Sequence, residues 1–177
     1  MTRGALWWEM AGIPLVFLAG SAMHFAFEWC GRRPIIAPFV AVNESVWEHL
    51  KLAFWPALLY AAAEYLAFGR RVDGFVAAKS IGILVMPVCI VLLFYGYKAL
   101  LGHHILWLDI LVFLVAVSVG QVSSYLVLAA NHRIAGLDWV GLAALAMLGL
   151  CFAAFSFRPP RLPIFRDSVT GKYGLQQ

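Results

Sequence analysis

From Ile110 to Ala130 the chain carries no charged residue, and from Val140 to Phe157 it again carries none. A helix needs ~20 predominantly apolar residues to cross the ~30 Å hydrocarbon layer of a bilayer, so each run is a membrane-span candidate. A soluble domain carries about 25% charged residues. Here the figure is 12%, against 63% hydrophobic residues, in a chain of 177, and the mean hydropathy is +0.86. Water is therefore not the main solvent of this fold.

Three further apolar runs complete the pattern. Ala11 to Phe27 follows Trp7 and Trp8, which suit an interfacial aromatic belt. No small-residue cleavage pattern follows the run, so it reads as a retained span rather than a leader. Leu52 to Ala63 is the apolar centre of a second span, and Ser80 to Tyr97 of a third, with Pro56 and Pro87 as expected kinks. The expectation is an all-α integral membrane protein, a bundle of about five transmembrane helices, with spans at about 9–29, 44–68, 74–99, 105–131 and 137–157. Between the first two spans, GRRPIIAPFVAV (Gly31 to Val42) holds two prolines and reads as an interfacial or re-entrant segment. Such backbone is tolerated only where protein or water covers it. One transmembrane domain, 1–158, is followed by an extended Pro-rich tail, 159–177.

The formal net charge of +4 raises nucleic acid as a partner, but the basic residues sit in short clusters between apolar runs, as topology determinants do. Arg3, Arg70, Arg71 and Arg133 fall on one side. Arg32, Arg33, Lys98, Arg158, Arg161, Arg166 and Lys172 fall on the other. The positive-inside bias then predicts a plasma (inner) membrane protein with its N-terminus outside and its C-terminus cytoplasmic. Cys30, Cys89 and Cys151 form no CxxC, so neither a redox pair nor a thiolate zinc site is indicated.

Polar residues concentrate at the expected cytoplasmic face. His24 and Glu28 are i, i+4 on the first span, as are Glu44 and Glu48, and Ser45 and His49, on the second. Lys98, His103, His104 and Asp109 arrive at the same face from the third and fourth spans. Ordinary structural roles account for part of this. Ser45-Val46-Trp47-Glu48 fits a capping box, Asn43 is an N-cap residue, and Glu48 with Lys51 makes a helix-surface ion pair. Arg32 and Arg33 serve topology, and His103 and His104 a solvated loop. His24, His49 and Asp109 lie within or just inside apolar runs, where an ionisable group is costly and needs a partner or a cavity. Imidazole and carboxylate together suit zinc or iron. The expected metal ligands are His24, Glu28 and His49, with Glu44, Glu48 and Asp109 as orienting or proton-moving catalytic groups. Glu64, with Gln121, Ser123 and Ser124 at its depth, marks a second polar locus near the opposite face.

The stretches HFAFEW, AVNESVWEHLKLAFWP and FRPPRLPIFRDSVTGKYG resemble a family of small uncharacterised prokaryotic membrane proteins, a domain of unknown function. That resemblance implies a multi-span fold and no assigned activity. Ser21, His24, Asp109 and the Asn43–His49 stretch are also similar to the CREST membrane hydrolases, which hold zinc between Ser, His and Asp on several helices. This chain has fewer spans than that family and no late H-x-x-x-H pair, His132 standing alone. The leading expectation is a pocket for a divalent metal such as zinc, a lipid or a small molecule, with metal-assisted hydrolysis as its chemistry. The rivals are a small transporter or proton conduit, and a structural subunit that docks through its tail. Enzyme or not stays open at this point, and no nucleic-acid partner is expected.

Overall fold

A computed structural model describes residues 2–130 and 136–175. His132 and Arg133, named above, lie outside the described residues. Among the described residues five α-helices follow one another: α1 Thr2–Trp29, α2 Val46–Ala67, α3 Phe75–Leu101, α4 Leu106–Ala130 and α5 Leu137–Phe157. Among the described residues there is no β-strand, only an isolated bridge between Arg166 and Tyr173. Four helices, α1, α3, α4 and α5, are long and apolar enough to cross a membrane. The helix α2 differs because it carries Glu48, Lys51 and Glu64, all buried.

The packing explains that difference. The helix α2 lies against α1, α3 and α5, while α4 closes against α1 and α3. Val16, Phe54, Ala57, Met86, Val117 and Phe152 interlock at the centre and are nearly inaccessible. Leu18, Leu92, Leu126, Met147 and Leu150 instead point outward and are exposed. A surface of that apolarity suits lipid rather than water. The α3–α4 crossing is tight because Gly82 and Gly120 face each other. A Cβ at either would lie 2.7 Å from the other's carbonyl oxygen, the close small-residue approach that membrane helices favour.

At the end of α1 the chain turns back on itself. Gly31 adopts φ 67°, its N–H bonds Glu28 O at 3.0 Å, and Arg32 N–H bonds Phe27 O at 2.9 Å. This pair of bonds is a Schellman cap, which satisfies the last carbonyls of a helix. A short 3-10 turn, Pro34–Ile36, follows. Ala37 and Val40 then tuck beneath Phe27 in a small satellite core. The backbone around Ala37 and Pro38 is covered by protein, while residues 31–35 are exposed. Ala37 O accepts from Lys51 Nζ at 2.8 Å and from Ser156 Oγ at 3.1 Å, and Pro38 O accepts from Trp55 Nε1 at 3.0 Å.

The residues after α5 pack back onto the same end of the bundle. Phe165 is buried against Trp47 and Phe155, with ring centroids 4.8 and 5.4 Å away. Asp167 shapes a tight loop, its Oδ1 accepting Val169 N–H at 2.7 Å and Thr170 N–H at 3.0 Å. Leu175 N–H bonds Ser156 O at 2.8 Å.

Candidate metal and ligand site

NESVWEHLK builds the site by organising the start of α2. Asn43 Oδ1 accepts Ser45 N–H at 2.9 Å, and Ser45 Oγ accepts Glu48 N–H at 3.4 Å. Half of the expected capping box is thus present, but Glu48 does not reach back to the cap. Its carboxylate accepts Val42 N–H at 3.0 Å and pairs with Lys51 at 2.5 Å. Lys51, 0% exposed, also donates to Ser156 Oγ at 2.6 Å. The buried pair therefore ties α2 to the loop before it and to the end of α5.

One turn past the cap, His49 Nδ1 lies 2.8 Å from Ser45 O. A carbonyl can only accept, so Nδ1 carries the proton, and in the neutral ring Nε2 keeps its lone pair. That nitrogen faces α1, 3.1 Å from His24 Nε2. Glu44 Oε2 completes the triangle, 3.4 Å from His49 Nε2 and 3.6 Å from His24 Nε2. All three ligand atoms fall within 4.8 Å of one another. The His24 and then the His49 imidazole hold the Glu44 carboxyl well below the usual carboxylate range, so it is an anion at neutral pH.

Beside the triangle opens a cleft of ≈ 440 Å³. The helix α1 contributes His24, Phe25 and Glu28, the segment between α1 and α2 contributes Arg32, Asn43 and Glu44, and the C-terminal loop contributes Asp167, Val169 and Thr170. Two bonds hold that loop over the cleft, Ser168 N–H to Glu44 O at 3.4 Å and Asn43 Nδ2 to Gly174 O at 3.0 Å.

The other residues singled out by the sequence are placed elsewhere. Glu28 pairs with Arg32 at 2.6 Å and faces the cleft, not the imidazoles. Asp109 is held by the Tyr97 hydroxyl and by His104 Nδ1 at 3.2 Å. His103 is exposed, and Ser21 Oγ donates to its own helix at Phe17 O, 2.8 Å away. Sequence reasoning missed the tail as a wall of the cleft. The paired glycines of its VTGKYG segment, both at positive φ, were the signal for a folded loop. It also missed Glu9 and Lys79, which join Glu64. An ionisable residue inside an apolar run is itself the warning sign.

The model of the family of unknown function DUF6512 matches residues 2–175. The chain belongs to that family. Neither a curated protein nor a solved structure matches it. Membership accounts for the likeness over the whole length, tail included, and assigns no reaction.

Proposed function

We propose that this DUF6512 member crosses the membrane five times and binds a divalent transition metal, zinc in character, through His24, His49 and Glu44. The free coordination position faces the cleft, where a small molecule or a lipid headgroup enters. The observation that carries this reading is the triangle of ligand atoms. Zinc–nitrogen and zinc–oxygen bonds of ~2.05 Å at tetrahedral angles put neighbouring ligand atoms ~3.3 Å apart. The observed edges are 3.1, 3.4 and 3.6 Å. All three edges lie close to that spacing, which supports a shared ion.

The bond from His49 Nδ1 to Ser45 O is the outer-shell contact that metal-bound imidazoles need to fix ring and tautomer. Three protein ligands with one position left over is the arrangement of catalytic rather than structural zinc. A metal there would act as a Lewis acid on a carbonyl or phosphoryl oxygen, or would acidify a bound water. Around it, Glu44 supplies the anionic ligand, Asn43 holds the loop that bounds the cleft, and the Glu48–Lys51 pair fixes the start of α2.

Five crossings are supported by the length of α2, whose 22 residues span ~33 Å. Glu48, Lys51 and Glu64 each face an opposite charge inside the bundle, which lowers the cost of placing α2 in lipid. The Arg/Lys distribution favours a plasma membrane orientation with the C-terminus and the metal site cytoplasmic. A conduit from this site to Glu64 is less well supported, because Val16, Ala53, Phe54, Ala57 and Val117 are packed between the two loci.

Metal analysis of protein purified without chelators from metal-supplemented cells tests the proposal. Close to one equivalent per chain is expected, lost in His24→Ala and in His49→Ala. Metal-free wild-type protein from such a preparation would overturn it.

A further inference from the structure

The second polar locus joins four helices at the opposite end of the bundle. Lys79 Nζ on α3 lies 2.5 Å from Glu9 Oε1 on α1 and 2.5 Å from Glu64 Oε2 on α2. Ser124 Oγ on α4 donates to Glu9 Oε1 at 2.7 Å. Glu64 is 0%, Glu9 2% and Lys79 5% exposed. Two carboxylates share one ammonium, so the locus carries one unbalanced negative charge. Burying such a charge is costly unless it is compensated.

Among the described residues, the surrounding groups do not supply the compensation. On α5, Asp138 is itself acidic and accepts Ala77 N–H at 2.7 Å. The turn after α2 brings Asp73 and two arginines to this end, but Arg70 and Arg71 are exposed, and Arg70 lies over the Tyr65 ring. Lys79 is the buried cation, with the Phe75 ring 5.6 Å from its nitrogen.

A second feature points to a ligand independently of the charge count. Among the described residues, Glu9 Oε2, Glu64 Oε1 and Gln121 Nε2 are buried without a hydrogen-bond partner. Gln121 is only 4% exposed. Its amide occupies the space that a Cβ on Gly12 would fill, beside Tyr60. Gly12 lies one turn from Glu9, Tyr60 one turn from Glu64, and Gln121 one turn from Ser124. The amide therefore sits in the layer next to the carboxylates. Spare carboxylate lone pairs around an unbalanced negative charge are what a small cation requires.

We infer that Glu9, Glu64 and Ser124 form a buried site for one small monovalent cation, a proton or a sodium ion, held beside Lys79. Full-length protein in nanodiscs tests this by two readouts. One is the infrared carbonyl band of a protonated carboxyl at neutral pH, followed with isotope-labelled glutamate. The other is the melting temperature as sodium replaces choline at constant ionic strength. A proton gives the band without sodium dependence; sodium gives a rise in melting temperature.

Glu64→Gln and Glu9→Gln each leave one carboxylate for one ammonium, so either substitution alone should abolish the signal seen in wild type. A signal undiminished in both variants would overturn the inference. So would a wild-type protein with neither signal, a result that stands even where a variant fails to fold.

Discussion

Lys51 shows how much of this end of the molecule depends on one side chain. Its ammonium is fully buried and bonds Glu48, Ala37 O and Ser156 Oγ. Removing one member of a buried ion pair leaves the other uncompensated, at a cost of about 3–5 kcal/mol. Lys51→Met should therefore lower stability by that order, measured by thermal or denaturant unfolding in detergent. Glu48→Gln combined with Lys51→Met should recover part of the loss, since the two residues are directly coupled. At this scale the sequence was partly readable. Asn43 and Ser45 announce a helix start by residue type alone, and His24 and His49 stand out against apolar neighbours. The partner of Glu28 was not readable. An i, i+4 spacing permits the pair with His24, but Arg32 at positive φ turns its guanidinium onto the same carboxylate.

Among the elements, the helices were legible because their apolar runs are long and uninterrupted by charge. Their faces were not, because each helix is hydrophobic nearly all round, and periodicity then says little about which side is packed. Glycine marks the packed side where it occurs. Gly82→Leu should force α3 and α4 apart at the Gly120 carbonyl and destabilise by about 1–3 kcal/mol, the usual cost of overpacking. Gly96, with open space around it, should tolerate alanine within about 0.5 kcal/mol plus any helix-propensity gain. Parallel unfolding measurements on the two variants check both statements. The loop 158–175 illustrates the opposite limit. Proline-rich, polar sequence suggests an extended chain, yet Asp167 and the glycines at 171 and 174 close it into a loop. The bonds from Asn43 and Glu44 that dock it come from residues more than a hundred positions away, a separation no local pattern reveals. Asp167→Ala should free this loop, seen as new protease cleavage near Val169 and as weaker metal retention.

For the whole molecule, the arrangement is two polar layers held apart by an apolar centre. One layer, at the end where α1 stops and α2 starts, opens to a cleft; the other is sealed among α1, α2, α3 and α4. The proposed orientation predicts that Cys30, the exposed cysteine, reacts with a membrane-impermeant thiol reagent only from the cytoplasmic side. Inside-out and right-side-out vesicles would distinguish the two faces, and labelling from outside would reverse the orientation.

The metal content of the purified protein tests the account most directly. With supplementation and no chelator, it should approach one divalent ion per chain, vanish in His49→Ala, and survive in Asp109→Asn, which leaves the triangle untouched. Wild-type protein without stoichiometric metal, or equal occupancy in His49→Ala, would contradict the reading of His24, Glu44 and His49 as a metal site.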